Sequence, residues 1–211
     1  MNIDKTCEFC TELIDFKTSR LGKIYLEKIS SRIIKESEHF FVIPTIGQLL
    51  PGSLLILPKA HIETFAEIKT TLLPEALDII NELTISKNLS NYILWEHGAK
   101  KCSHASCGVF HAHIHLIPLP KKIIPSELLG KNAFVGKDLI DTLKKVAGQT
   151  NYIFFRNTDG KYYFNTEKNG EAILFQSQYF RKWLVHNFSI QREWDWKKYN
   201  HSEVDLLNAI G

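Results

Sequence analysis

With 211 residues, 24.3 kDa, 44% hydrophobic and 23% charged residues, the chain has the length of one substantial domain with an extension and the composition of a globular protein, which excludes fibrous and natively unfolded readings. The formal charge of +3, from 26 basic and 23 acidic residues with histidines neutral, is too small to hold a nucleic-acid polymer by bulk electrostatics, so an anionic ligand must be caught locally. Residues 1–16 lack the basic flank and apolar run of a signal peptide, and no stretch approaches the roughly 20 apolar residues that span a bilayer; a cytoplasmic location without a membrane partner is expected.

Residues 37–43 (SEHFFVI) read as a strand that stops at Pro44, and residues 53–57 as a second strand between Gly52 and Pro58, forming an antiparallel hairpin. His61 sits just past its end. Thr70-Thr71 ahead of Pro74, with Leu73, Leu77, Ile80 and Leu83 at helical spacing, predicts an amphipathic helix running to Asn88. Residues 91–96 and 109–117 are the third and fourth strands, separated by a polar loop. Residues 125–129 and 137–146 read as helices. Residues 152–156, 161–165 and 172–175 read as a small meander with turns at Asp159-Gly160 and Asn169-Gly170, and residues 179–188 as a closing helix. The expected class is α+β, with a boundary near 130 between a catalytic domain (1–130) and a C-terminal extension (131–211).

The chemistry concentrates in His111-Ala112-His113-Ile114-His115, because side chains i, i+2 and i+4 of a strand emerge on one face, about 7 Å apart. Three imidazoles in a run otherwise made of Val, Phe, Ile and Leu are costly unless they work. Such a row can hold a transition metal or act as nucleophile, acid and base. No carboxylate lies on this strand to complete a metal centre, although Glu96 could approach from elsewhere. The four cysteines fall as two close pairs, Cys7/Cys10 and Cys102/Cys107, which favours metal or simple thiols over disulfides in a chain without export signals.

The run HAHIHLIP at 111–118 resembles the signature of the histidine triad (HIT) family, and Pro51 to His61, ending in Pro58-Lys59-Ala60-His61, resembles its second landmark. Together they cover roughly residues 5–120. Trp95-Glu96-His97-Gly98 and Ser106-Cys107-Gly108 are similar to a bacterial-type subgroup with a C-terminal extension, whose tail motif resembles Gln176-Ser177-Gln178-Tyr179-Phe180-Arg181 followed by Trp194-Asp195-Trp196. The resemblance implies a HIT-like antiparallel sheet with flanking helices, plus a small C-terminal α/β extension. It implies a nucleotide hydrolase or nucleotidyltransferase acting at the α-phosphate of a dinucleoside polyphosphate or similar nucleotide, through a covalent nucleotidyl-histidine. Carried over, His113 is the nucleophile, His111 and His115 flank the phosphate, and His115 donates to it or to the leaving group.

Two departures stand out. Gly108 and Cys107 hold places where relatives commonly have polar side chains, so the Gly108 amide or the Ser106 hydroxyl is the expected substitute for substrate binding. The acid that often grips the ribose is missing between Pro44 and Gly52. A nucleotide-binding regulatory module with little turnover is therefore the alternative, and a redox or hydrolytic metal centre a third reading. Some relatives bind structural zinc through a set that corresponds here to Cys7, Cys10, His61 and His111; Cys102, His104 and Cys107 with Cys7 and Cys10 form the competing set. Arg181, near the start of the closing helix, is a candidate phosphate contact. Relatives are often homodimers.

Overall fold

The computed structural model describes residues 2–25, 27–101, 109–119, 121–198 and 203–210. In chain order the helices are α1 (Glu8–Ile14), α2 (Arg20–Tyr25), α3 (Leu73–Ser86), α4 (Pro125–Leu129), α5 (Leu139–Val146), α6 (Tyr179–Phe188) and α7 (Glu203–Ile210). The strands are β1 (Lys35–Glu36), β2 (Phe40–Pro44), β3 (Leu54–Pro58), β4 (Tyr92–Ala99), β5 (Ile114–Pro118), β6 (Phe134–Gly136), β7 (Asn151–Arg156) and β8 (Tyr162–Thr166). They form one eight-stranded antiparallel sheet in the order β1-β2-β3-β5-β4-β7-β8-β6. The chain is thus an α+β protein with helices flanking an antiparallel sheet, and the strands after residue 130 continue the same sheet. No helix of the described residues is long and apolar enough to cross a membrane.

Alternation along the strands divides the core. Phe40, Val42, Leu54, Ile56, Leu94, Ile114, Leu116, Phe154 and Phe164 point to one face, where α3 and α5 bury Ile80, Leu83, Leu139 and Leu143 against them. Phe41, Ile43, Leu55 and Leu57 point to the other face, under Phe9 and Cys10 of α1. Farther along that second face, Ile93, Trp95, Ile153 and Phe155 are covered by Leu128 of α4 and by Phe180 and Leu184 of α6. With both faces covered, β2 and β3 are buried at every position, which accounts for their unbroken apolar runs. Pro74 lies in the first turn of α3. The Asp138 side chain caps α5 by accepting from the Asp141 amide, a bond worth about 1 kcal/mol.

The paired residues Leu55–His115–Trp95–Phe155–Tyr163–Val135 form one row across the sheet. The two halves of this row match about the Trp95/Phe155 pair. On one side the chain runs β3, α3, β4, β5, with β3 beside β5; on the other it runs β6, α5, β7, β8, with β6 beside β8. Gly98 sits on the β4–β7 seam opposite Tyr152, where a Cβ would come within 2.3 Å of the tyrosine ring, so the close approach requires glycine.

Several elements differ from the sequence-based expectation. Residues 172–175 form a turn of 3-10 helix, not a strand, because the free edge of β8 is already taken by β6. The ladder of β5 begins at Ile114 and not near Val109. Its neighbour β3 ends at Pro58, which has no N–H and whose carbonyl accepts from the His111 ring (2.9 Å). The helices α1, α2 and α7 were not foreseen; Leu206 of α7 packs against Phe16, Leu21 and Tyr25.

Beneath β4, the buried Glu96 carboxylate accepts from the Tyr152 hydroxyl (2.6 Å) and the Phe65 amide (2.8 Å). Burial raises its pKa from 4.5 to about 8 against the pull of those two bonds. Between these values the folded chain holds a proton that the unfolded chain gives up. Glu96 therefore contributes stability that is complete below pH 4.5 and is lost as the pH rises through 8. Glu96→Gln, which cannot ionise, is expected to flatten the decline in urea midpoint between pH 5 and pH 8; an unchanged slope would assign that decline to other groups.

Candidate functional site

The second face of the sheet is covered at one end by α1 and at the other by α4 and α6, and the triad lies in the gap between them. His111 precedes β5 in extended chain, with the Ala112 amide donating to the Ile62 carbonyl (2.7 Å). The Phe9 ring meets both His111 (5.7 Å) and His113 (5.8 Å) edge-on, so these imidazoles share a side as the alternation requires. The His113 and His115 rings are 5.1 Å apart, closer than strand rise alone gives, because they tilt toward each other at 68°.

His113 Nδ1–H donates to the His111 carbonyl (2.7 Å), which fixes the tautomer and leaves Nε2 as a lone pair. Burial lowers the His113 pKa below 6.5, so the ring is neutral at physiological pH. His115 is lowered further, by burial first and then by the nearness of His113 and Arg181. His97, on β4, is half-buried and pushed down to about 4 by loss of solvent, and its Nε2 bonds to Asn151 Oδ1 (2.8 Å).

His97, His113 and His115 line a cavity of about 230 Å³. One wall comes from α1 and α2, through Phe9, Glu12 and Arg20, and another from the start of α6, through Gln178, Phe180 and Arg181. The Phe180 ring stacks on Trp95 (4.4 Å between centroids), fastening α6 over the triad. Arg181 donates from Nε to the Trp194 carbonyl (2.5 Å) and from Nη2 to the Gly47 carbonyl (2.7 Å), so it ties α6 to the β2–β3 loop as well as facing the cavity. Lys100 and Lys101 pair with Glu67 and Asp4 and do not line it.

A second cluster lies on the other side of His111. The ligand atoms of Cys7, Cys10, His61 and His111 are all within 4.8 Å of one another. Cys7 Sγ is 3.4 Å from His111 Nδ1, and Cys10 Sγ is 3.5 Å from His61 Nδ1 and 3.6 Å from His111 Nδ1. Sulfur and nitrogen on one tetrahedral zinc are about 3.6 Å apart when the metal bonds are about 2.3 and 2.0 Å, so the donor set fits such an ion. His111 Nε2–H donates to the Pro58 carbonyl (2.9 Å), which turns Nδ1 toward the thiols. Burial pushes the Cys7 thiol up to about 12, and the neighbouring Cys10 thiol adds to the rise.

Of the residues named from sequence, His111, His113, His115, Arg181 and the Cys7/Cys10/His61 group are placed in these two clusters. Ser106 and Gly108, with the competing Cys102, His104 and Cys107, lie outside the described residues. Glu12 and Arg32 escaped sequence reasoning, since α1 is only 7 residues long and Arg32 lies between elements.

Residues 27–122 match the HIT domain family. A HIT-like protein of Saccharolobus solfataricus is 26% identical over 111 residues, which cover 46% of this chain and 78% of the relative. Among solved structures, a HIT family hydrolase from Clostridium thermocellum is 25% identical, with a TM-score of 0.41, covering 57% of this chain and 99% of its own. Another from Legionella pneumophila is 24% identical, with a TM-score of 0.40, covering 56% and 97%.

Proposed function

We propose, from the match of residues 27–122 to the HIT domain family, that the chain hydrolyses or transfers nucleotides at the α-phosphate, through a nucleotidyl-histidine on His113. The observation that carries this reading is a neutral imidazole with Nδ1 committed to a backbone carbonyl, set in a cavity walled by a second histidine and by cationic side chains. His113 Nε2 attacks the α-phosphorus as the bond to the leaving oxygen breaks. Water or another acceptor then takes the nucleotidyl group from nitrogen, so one difficult displacement becomes two easier ones. In this reading His115 and Arg181, which both line the cavity, meet the phosphate oxygens as donors fixed in advance.

The substrate class is a dinucleoside polyphosphate or a similar nucleotide. The test is chromatography of the products from dinucleoside polyphosphates, nucleotide sugars and nucleoside phosphoramidates, together with intact-mass detection of a nucleotidyl adduct. Release of nucleoside monophosphate from one class names the leaving group. Nucleotide binding without release from any class would turn the reading toward a regulatory module.

We further assign the Cys7/Cys10/His61/His111 cluster to structural zinc, a closed four-ligand site that ties the N-terminal segment to the triad segment. Elemental analysis of the purified chain is expected to find one zinc per chain. Cys10→Ser should lose the metal and lower the melting temperature, whereas His113→Ala should retain it. Loss of metal with His113 alone would instead place the ion in the cavity.

A further inference from the structure

The proposed chemistry leaves one imidazole of the cavity without a task. His97 lines it together with His113 and His115. Strand β4 runs antiparallel to β5 with Trp95 paired to His115, so His97, two residues farther along β4, stands on the same face opposite His113, two residues back along the triad segment. The two rings are close enough that, after burial, His113 further disfavours the cationic form of His97.

The ring is oriented from its far side. Its Nε2–H donates to Oδ1 of Asn151 on β7 (2.8 Å), and Phe175, in the 172–175 turn, meets it edge-on at 6.3 Å. Asn151 is 1% exposed, and its Nδ2 has no hydrogen-bond partner among the described residues, a cost that a ring held only by packing would not require. With the proton fixed on Nε2, Nδ1 is left as a lone pair. The bonding directions of the two nitrogens diverge across the ring, so Nδ1 points away from Asn151 and β7, and no described residue bonds to it. A lone pair beside the nucleophile has a use when water attacks the adduct, because the water must give up a proton as its oxygen bonds to phosphorus. His113 cannot take that proton: its Nε2 is in the bond being broken and its Nδ1 already donates to the His111 carbonyl. The neutral His97 ring has its pair free at physiological pH, and the anionic phosphoryl group beside it favours the cation that forms.

Building on the reading of His113 as the nucleophile of a nucleotide site, we infer that His97 is the general base of the second step, with Asn151 as the residue that positions it. The bond from water oxygen to phosphorus forms as the bond from phosphorus to His113 Nε2 breaks. The electron pair of that bond returns to His113, and the water proton passes to His97 Nδ1 and then to solvent. Asn151 and Phe175 both lie beyond the span that matches the HIT domain, so the C-terminal part of the sheet completes the centre.

The experiment is rapid-quench kinetics of the full chain with the adenosine and guanosine members of the three substrate classes above, following leaving group, adduct and nucleoside monophosphate. In His97→Gln the amide keeps a donor for Asn151 and has no lone pair at the Nδ1 position. It should leave the burst of leaving group unchanged and slow release from the adduct by about a hundredfold, so that adduct accumulates and kcat falls together with KM. Asn151→Ala should slow the same step by less. Fluoride, which has no proton to lose, should empty the adduct equally fast in wild type and His97→Gln. Release to water at the wild-type rate in His97→Gln overturns the inference, as does equal slowing of adduct formation and release, or of transfer to water and to fluoride, since the ring would then serve packing alone. Failure of the wild type to form an adduct overturns the nucleotidyl-histidine reading and the inference together. Should His97→Gln not fold, the wild type in heavy water decides: slower release to water but not to fluoride is expected, and equal release to water in the two solvents overturns the inference.

Discussion

His113→Ala is expected to slow release of nucleoside monophosphate by about a thousandfold or more, and to abolish the covalent adduct in intact-mass spectra. Alanine removes the one imidazole whose tautomer is fixed by the His111 carbonyl at 2.7 Å, and no neighbour can take its place. His115 and His97 are held neutral by burial, but neither is locked in that way to a main-chain acceptor in the triad segment. The residual rate would come from positioning and from the donors left in place, as in other enzymes stripped of a nucleophile. His115→Ala should cost less, since it removes a donor and leaves the covalent route open. Because burial lowers the His113 pKa, activity should hold as the pH falls to 6.5 and decline only below it, as the imidazole gains a proton. An adduct that persists in His113→Ala would move the nucleophile to another residue.

Arg32→Met is expected to destabilise the fold by about 3–5 kcal/mol, the usual consequence of stranding a buried charge. Glu12 would lose both of its guanidinium donors, and the Pro44 carbonyl would lose a third bond. For a chain of this size that corresponds to a fall in melting temperature on the order of 10 °C. Adding Glu12→Met should restore most of the loss, because the pair replaced by apolar volume is close to neutral in stability. Urea melts of the single and double variants give the coupling directly. A single variant that melts within a degree or two of the wild type would show that water reaches Glu12 through the cavity and replaces the lost donors.

The hairpin of β2 and β3, the long helix α3 and the β7–β8 pair were legible because each carries its own period and its own stop signals, such as Pro44, Gly52, Pro74 and Gly160. The triad was legible because three polar rings in an apolar run have few structural explanations. What escaped has a common cause. β6 is 3 residues long, with Phe134 and Val135 44% and 63% exposed, and becomes a strand only because β8 offers it an edge. Residues 172–175 have strand-like composition, but β6 already holds the edge of β8. The Cys/His cluster joins residues as much as 104 positions apart, so no local pattern reveals it, and only the family resemblance brought its four members together. Glu12 gives no signal at all in sequence, since a glutamate on a short helix is ordinarily exposed.

The matching of strands about Trp95 and Phe155 bears on how this molecule could change. Two identical chains joined at a sheet edge carry every substitution twice, so neither site can be altered while the other is preserved. Here the matched halves are encoded separately. Tyr163 stands across the axis from His115, and Lys161, two residues before it, stands across from His113. The half with the histidines keeps the cavity, while Phe155 and Tyr163 of the other stack 6.5 Å apart in a packed layer under α4 and the turn at 172–175. One half thus packs as a scaffold, while the other carries the histidines that line the cavity.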